Sequence, residues 1–279
     1  MANELNSSVK RQCLTVGVLA ALASSGAGVH RILAVASANR GLMRAIEVRD
    51  IRSALGYLGN GANANCATGG NMLDSHGPQS RLLKWLGGDA TADAGEPALI
   101  REIGMQGRRY AWETGPPLDD TRLTAALLRH GANPDSRDRS GETALSVAVI
   151  RSLPRTTELL LLAGANINAK DPLGCTALFF ANGTGGARLI PILVRHGAEV
   201  NNADVFGRTP LIEACSATRI DGSILHIADA DDLEGVRVLL AHGANPNARA
   251  RDGATALSNA LRYGTPEIVD ILRKYGARQ

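Results

Sequence analysis

VLLAHGANPNARARDGATAL occupies residues 238–257. Nearly the same phrase stands at residues 159–178 as LLLLAGANINAKDPLGCTAL and at residues 127–145 as LLRHGANPDSRDRSGETAL. A catalytic motif is needed once, so a phrase that returns along a chain marks a building unit. The glycine that opens each Gly-Ala pair falls at Gly131, Gly164, Gly197, Gly243 and Gly276, at spacings of 33, 33, 46 and 33 residues; the odd spacing exceeds the period by 13. A fixed period of this size is the signature of a repeat array.

Each unit can be read physically. An apolar run ending in LLRH or LLAH meets a glycine that adopts positive φ and stops the helix. An Asn- and Asp-rich turn follows. Thr143, Thr176, Thr209 and Thr255 then precede a new apolar run, where a hydroxyl caps a helix, and Pro210 sits where a first-turn proline is harmless. The unit is therefore hairpin, helix, turn, helix. Neither helix can bury its apolar face within one unit, so neighbours must stack.

At this point the chain resembles the ankyrin repeat family. The matching features are the 33-residue period, GANxN as at Gly164 to Asn168, DxxGxTxL as at Asp138 to Leu145, and TPL at Thr209 to Leu211, over roughly residues 40–279. The resemblance implies an all-α solenoid of helix-turn-helix units joined by hairpin-like loops, and a noncatalytic protein-interaction scaffold. Two departures stand out. The family's T-P-L-H histidine is replaced by Ser146, Phe179, Ile212 and Ser258, so its polar ties are expected to be missing. Pro191 falls inside an expected second helix and should shorten or kink it.

The expected organisation is as follows. Residues 1–28 are a signal peptide or an apolar N-terminal segment, and residues 29–60 hold N-terminal helices and a first repeat. Residues 61–130 are two degenerate repeats or one extended repeat. Regular repeats then run over 131–163, 164–196, 197–242 and 243–275. Inserts of 13 residues are expected near 106–118 and 218–230, on the edge opposite the hairpin tips.

Lys10 and Arg11 before CLTVGVLAALA and the small residues of SSGAGVH follow the order of a secretory signal, with Ser25 and Ala27 at the small positions before a cut. The apolar run is too short for a membrane span. Periplasmic or secreted placement is the expectation, and cytoplasmic if the segment is retained.

Among 279 residues, 44% are apolar but only 3% aromatic, so the core must be built from Leu, Ala, Val and Ile. The net charge is +3 with the two signs interspersed, and no basic run is interleaved with aromatics, which argues against nucleic acid. Only Lys10, Lys84, Lys170 and Lys274 are lysines, a bias that reads as GC-rich bacterial coding. Cys13, Cys66, Cys175 and Cys215 lie far apart without metal-ligand spacing.

Chemistry is weakly represented. His130, His196 and His242 share one repeat-equivalent place at a helix end and read as structural. His226 with Asp229, Asp231 and Asp232 imitates a metal site, yet reads more simply as a helix-capping stretch, so no metal and no cofactor is expected. Cys66 with His76 and Asp74 is the basis of a rival reading, an enzyme seated in residues 61–130. A second rival keeps the fold but makes the protein a secreted effector directed at a host.

The expected contact face is the concave strip of hairpin tips and first helices of a monomer facing an unknown protein partner. Counting from each opening glycine places Arg139, Ser140 and Glu142, then Pro172, Leu173 and Cys175, then Val205, Phe206 and Arg208, then Arg251, Asp252 and Ala254 at the tips. Leu173 and Phe206 are an apolar pair flanked by Arg139, Arg208 and Arg251, while Phe180 and Glu213 extend the face and Glu142 lies beside it. That is the makeup of an interface centre with a polar rim.

Overall fold

A computed structural model describes residues 26–66, 96–106, 119–181, 187–216, 218–220, 223–226, 230–263 and 266–278. The chain divides into two compact units, one of residues up to 101 with 126–132, the other of residues 102–125 with 133–279.

In the first unit α1 (Gly26–Glu47) packs on α2 (Ile51–Gly59). The N-terminal helices expected over residues 29–60 are these two, and α1 runs for 22 residues. It contains no proline, and its end comes only at Arg49, which takes φ 58°. Asp50 then caps α2 by accepting the Ser53 N–H at 3.1 Å. Gly41 permits the close approach, because a Cβ there would lie 2.4 Å from the Tyr57 ring. Asn65 Nδ2 donates to Gly131 O at 2.8 Å, so the turns at Gly61 and Gly131, 70 residues apart, are neighbours in space. Helices α3 (Ala98–Met105) and α4 (Thr121–Arg129) lie between them in sequence.

The second unit continues with α5 (Ala144–Ile150), α6 (Pro154–Leu162), a 3-10 turn (Ala187–Leu189), α7 (Ile190–Arg195) and α8 (Pro210–Ala214). An antiparallel hairpin of β1 (Thr218–Ile220) and β2 (Ser223–His226) follows, then α9 (Ala230–Ala241), α10 (Ala256–Tyr263) and α11 (Pro266–Lys274). Helices pair within repeats as α5 with α6, α8 with α9, and α10 with α11. First helices stack as α8 on α10, and second helices as α7 on α9 and α9 on α11. Leu160, Leu193, Leu239 and Leu272 are completely buried on these second helices.

The repeated phrase explains its own turn. Gly164 takes φ 88°, its N–H returns to Leu161 O, and the Ala165 N–H returns to Leu160 O at 3.0 Å, the pattern that closes a helix C-terminus. The two asparagines of GANxN then divide the work. The first closes its own turn, as Asn245 Oδ1 does on the Asn247 N–H at 3.0 Å. The second crosses to the next repeat: Asn201 Nδ2 donates to Gly243 O at 2.9 Å while its Oδ1 accepts the Asn245 N–H at 2.8 Å. Asn247 repeats both bonds on Gly276 and Arg278.

Thr143, Thr209 and Thr255 cap their helices as expected, accepting N–H bonds from Ser146, Ile212 and Ser258. Thr176 does not. After it the chain makes only three-residue-span turns, Phe179 N–H to Thr176 O and Phe180 N–H to Ala177 O, and the buried Thr176 hydroxyl has no partner. The expected helix-turn-helix pattern thus fails in the repeat at 164–196. Pro191 has the anticipated effect, since α7 is six residues long, is preceded by a 3-10 turn and carries the proline in its first turn.

The expectation that polar ties would vanish with the family's histidine is corrected at two positions. Ser146 Oγ lies 3.0 Å from Thr143 Oγ1, and Ser258 Oγ accepts the Thr255 N–H at 2.9 Å while Thr255 Oγ1 accepts the Ser258 N–H. The latter pair is a reciprocal capping box built with a serine. Of the inserts, residues 107–118 lie outside the described residues, and residues 218–220 and 223–226 contribute the paired strands β1 and β2.

Helix α6 has no cap of its own, since Leu153 offers no side-chain acceptor. Asp119, from the preceding repeat, supplies it by accepting the N–H groups of Arg155 at 2.5 Å and Thr156 at 3.1 Å and the Thr156 hydroxyl at 2.6 Å. Thr156 also donates to Gln106 Oε1, whose amide nitrogen bonds Glu102, Thr124 and Asp120 O. Removing an N-cap costs about 1 to 2 kcal/mol. Asp119→Ala is therefore expected to lower the urea-unfolding free energy by that amount, whereas a loss under about 0.3 kcal/mol would show that water replaces the cap.

Candidate partner-binding face

The face begins with a turn chemistry repeated three times and altered in a fourth hairpin. Asp138, Asp171 and Asp204 each stand seven residues after a turn glycine. Each closes its own hairpin: the Asp204 N–H donates to Arg208 O, and Asp204 Oδ1 accepts the N–H groups of Phe206 and Arg208 at 2.9 and 2.8 Å. In the fourth hairpin Ala250 holds the aspartate's place, and Asp252 accepts the Ala254 N–H instead. A glycine with positive φ completes each tip, at Gly141, Gly174, Gly207 and Gly253.

Neighbouring tips are joined by main chain. The Val205 N–H donates to Leu173 O and the Arg251 N–H to Phe206 O, both at 2.8 Å. The corresponding bond between the first two tips cannot form, because the donor position is Pro172. Arg137 takes over, its Nη1 donating to Gly141 O at 2.7 Å and to Lys170 O at 2.9 Å. The tips thus form a strip whose backbone is tied along its length.

On this strip Leu173 is 52% and Phe206 51% exposed, with Val205 also exposed between them. Arg139 and Arg251 are exposed, and Glu142, Phe180, Arg208 and Glu213 are half-buried. Cys175, placed at a tip by sequence counting, is buried, and burial first and the carboxylates of Asp171 and Asp204 second push its thiol up to about 12. Its side chain faces inward because it follows the turn glycine, where the chain already descends toward the core.

Arg208 organises the centre. Its guanidinium pairs with the fully buried carboxylate of Asp204 at 2.7 Å and with Glu213 at 3.2 Å. It lies 5.3 Å from the centroid of the buried Phe179 ring and 5.4 Å from that of Phe206. Phe179 in turn meets Phe180 edge-on, with centroids 6.0 Å apart. Phe206 is therefore held by a cation over one ring face while half of it stays in water. Sequence reasoning named Arg208 and Glu213 but missed Asp204 and Phe179. The aspartates recurring at Asp138, Asp171 and Asp204 were a usable signal for the first, while Phe179 had none.

The remaining candidates separate from this face. Cys66 is buried, and burial pushes its thiol up to about 11, the opposite of what an activated nucleophile needs. His76 and Asp74 lie outside the described residues, as do Asp229 and the side chains of His226, Asp231 and Asp232. His242 donates from Nδ1 to Val238 O at 2.8 Å, a helix-end tie in keeping with its structural reading. No helix among the described residues is long and apolar enough to cross a membrane.

Two family descriptions match the chain, ankyrin repeats in three copies over residues 152–223 and ankyrin repeats in many copies over residues 224–273. Residues 152–273 of the chain carry ankyrin repeats. Both matches fall in the stretch where the stacked helix pairs and tied tips were described. Ankyrin repeats are protein-protein interaction modules. No curated protein matches the chain.

Glu213 gives this face a pH signature. Burial raises its pKa above 4.5, outweighing the attraction of Arg208, with the Asp204 charge adding to the rise. The folded protein therefore binds this proton more tightly than the unfolded chain does, and the Glu213 contribution to stability rises as pH falls from the raised value to about 4.5. Glu213→Gln is expected to flatten that interval in a series of urea titrations. An unchanged slope would place the titration elsewhere.

Proposed function

We propose that the chain is a noncatalytic scaffold that holds one protein partner on its strip of hairpin tips, with Leu173 and Phe206 at the centre and Arg139, Arg208 and Arg251 around them. The observation that carries this is the pairing of two exposed apolar tips on a backbone tied by main-chain bonds. Such a strip needs little ordering on binding, and an anchored aromatic beside arginines is the usual composition of an energetic centre. Half of Phe206 is already covered, so burying the rest is worth about one decade in affinity. Affinity capture with wild-type and Phe206→Ala chains in parallel is expected to recover a protein that the variant binds about tenfold more weakly, at a nearly unchanged melting temperature. A sharp fall in melting temperature with affinity intact would make Phe206 a core residue and this face the wrong one.

We further read residues 61–130 as one extended repeat, on the strength of the Asn65 bond to Gly131, which is the bond that Asn201 makes to Gly243. For compartment, we propose export to a bacterial periplasm, supported by Lys10 and Arg11 before the apolar run and by the small residues Ser25 and Ala27. Mass spectrometry of the protein from a Gram-negative host is expected to show a mature N-terminus near residue 28. An intact Met1 or Ala2 would overturn export.

A further inference from the structure

We infer that the strip of tips takes a partner segment whose apolar centre is flanked on both sides by aspartate or glutamate, the acids resting on Lys170 at one end and Arg251 at the other. The inference rests on the scaffold reading above and narrows the partner's contact chemistry to an acidic, apolar, acidic pattern.

The charges of the strip lie in two layers. The inner layer is acidic and already committed. Asp138 accepts the Glu142 N–H at 2.8 Å, and Asp171 accepts those of Leu173 and Cys175 at 2.9 and 2.8 Å. The Asp204 carboxylate is fully buried against Arg208, whose guanidinium is also held by Glu213. Glu142 registers the sign of this layer, since burial first and the carboxylates of Asp138 and Asp171 second raise its pKa above the ordinary glutamate value. The outer layer is basic. Lys170 and Arg251 are exposed, and among the described residues no hydrogen bond or ion pair engages the side chain of either. Arg251 adjoins Phe206, because its N–H donates to Phe206 O at 2.8 Å. Lys170 stands three residues before Leu173, with its carbonyl gripped by Arg137. The two cations therefore bracket Leu173, Val205 and Phe206. Asp252, on the fourth tip, is exposed but turns its carboxylate to the Ala254 N–H at 2.9 Å. A partner anion laid over the middle of the strip would face the inner carboxylates, whereas at the ends it meets an ammonium or a guanidinium first. Exposed pairs of this kind add little strength each, so the apolar centre supplies the affinity and the two ends set preference and orientation.

The test uses the full chain and phage-displayed random dodecapeptides. Peptides retained by the wild-type chain are expected to carry adjacent apolar residues with Asp or Glu on both sides. A synthetic peptide of that kind should bind about fivefold more weakly to Lys170→Gln with Arg251→Gln, and its affinity for that variant should fall less steeply with added salt than its affinity for wild type. The reversal Lys170→Glu with Arg251→Glu should turn selection toward Lys and Arg flanks around the same apolar centre, a gain that misfolding cannot imitate. Retained peptides that are lost on Phe206→Ala, yet carry no acids or ignore both charge variants, would overturn the flanking pattern and leave the scaffold reading standing. Peptides indifferent to Phe206→Ala, or no retained peptide on the wild-type chain, would count against both.

Discussion

An asparagine amide that reads the glycine carbonyl of the next turn sets the distance between repeats, except after Gly131, where Asp135 accepts the Asn166 N–H alone. The glycine must take positive φ to end its helix, and this leaves its carbonyl pointing outward at a place no helix partner can fill. Asn201 and Asn247 satisfy that carbonyl from one side and accept an N–H from the same turn on the other. A side chain with one donor and one acceptor a fixed distance apart thus sets repeat spacing, and buried leucines such as Leu239 then fill a gap of defined width. The helix stop comes from the glycine, and the repeat register from the amide that reads its carbonyl.

The interaction strip is a by-product of the same economy. Each tip aspartate spends its carboxylate on its own hairpin, so the side chains that project from the strip are the residues between aspartate and glycine. Where those are Leu173, Val205 and Phe206, the array shows apolar surface on a backbone that is already ordered. The clamp of Asp204, Arg208 and Glu213 under Phe206 places charge directly beneath an exposed aromatic ring. Affinity and specificity are then available from one cluster, the ring providing area and the ions penalising a partner of the wrong charge.

The period, the helix stops, three of four threonine caps and the shortening effect of Pro191 were legible in the residues, because each rests on local chemistry within a few positions. The repeat at 164–196 was misread at its first helix. Thr176-Ala177-Leu178 matches Thr143-Ala144-Leu145 and Thr255-Ala256-Leu257 residue for residue, and the departures come only later, at Phe179, Phe180, Asn182 and Gly183. The break between α1 and α2 at Arg49 agrees with the expected N-terminal helices, while the start of α1 as far back as Gly26 was not foreseen. On the candidate face, exposure of Leu173 and Phe206 followed from counting. The inward turn of Cys175 and the cap that Asp119 lends to α6 did not, since both depend on where a neighbouring repeat stands.

The proline at position 172 makes one seam of the strip unlike the other two. Between the second and third tips, and between the third and fourth, the join is a main-chain N–H that every residue type except proline supplies, so drift in sequence leaves it intact. Between the first and second the join is the Arg137 guanidinium, which grips Gly141 O and Lys170 O together. Loss of the Arg137 guanidinium removes both bonds at that seam while the aspartate bonds that close each hairpin, from Glu142 to Asp138 and from Cys175 to Asp171, remain. The strip therefore carries a heritable weak point between Arg139 and Leu173, where the first tip can be uncoupled from the apolar pair while the rest of the surface is kept.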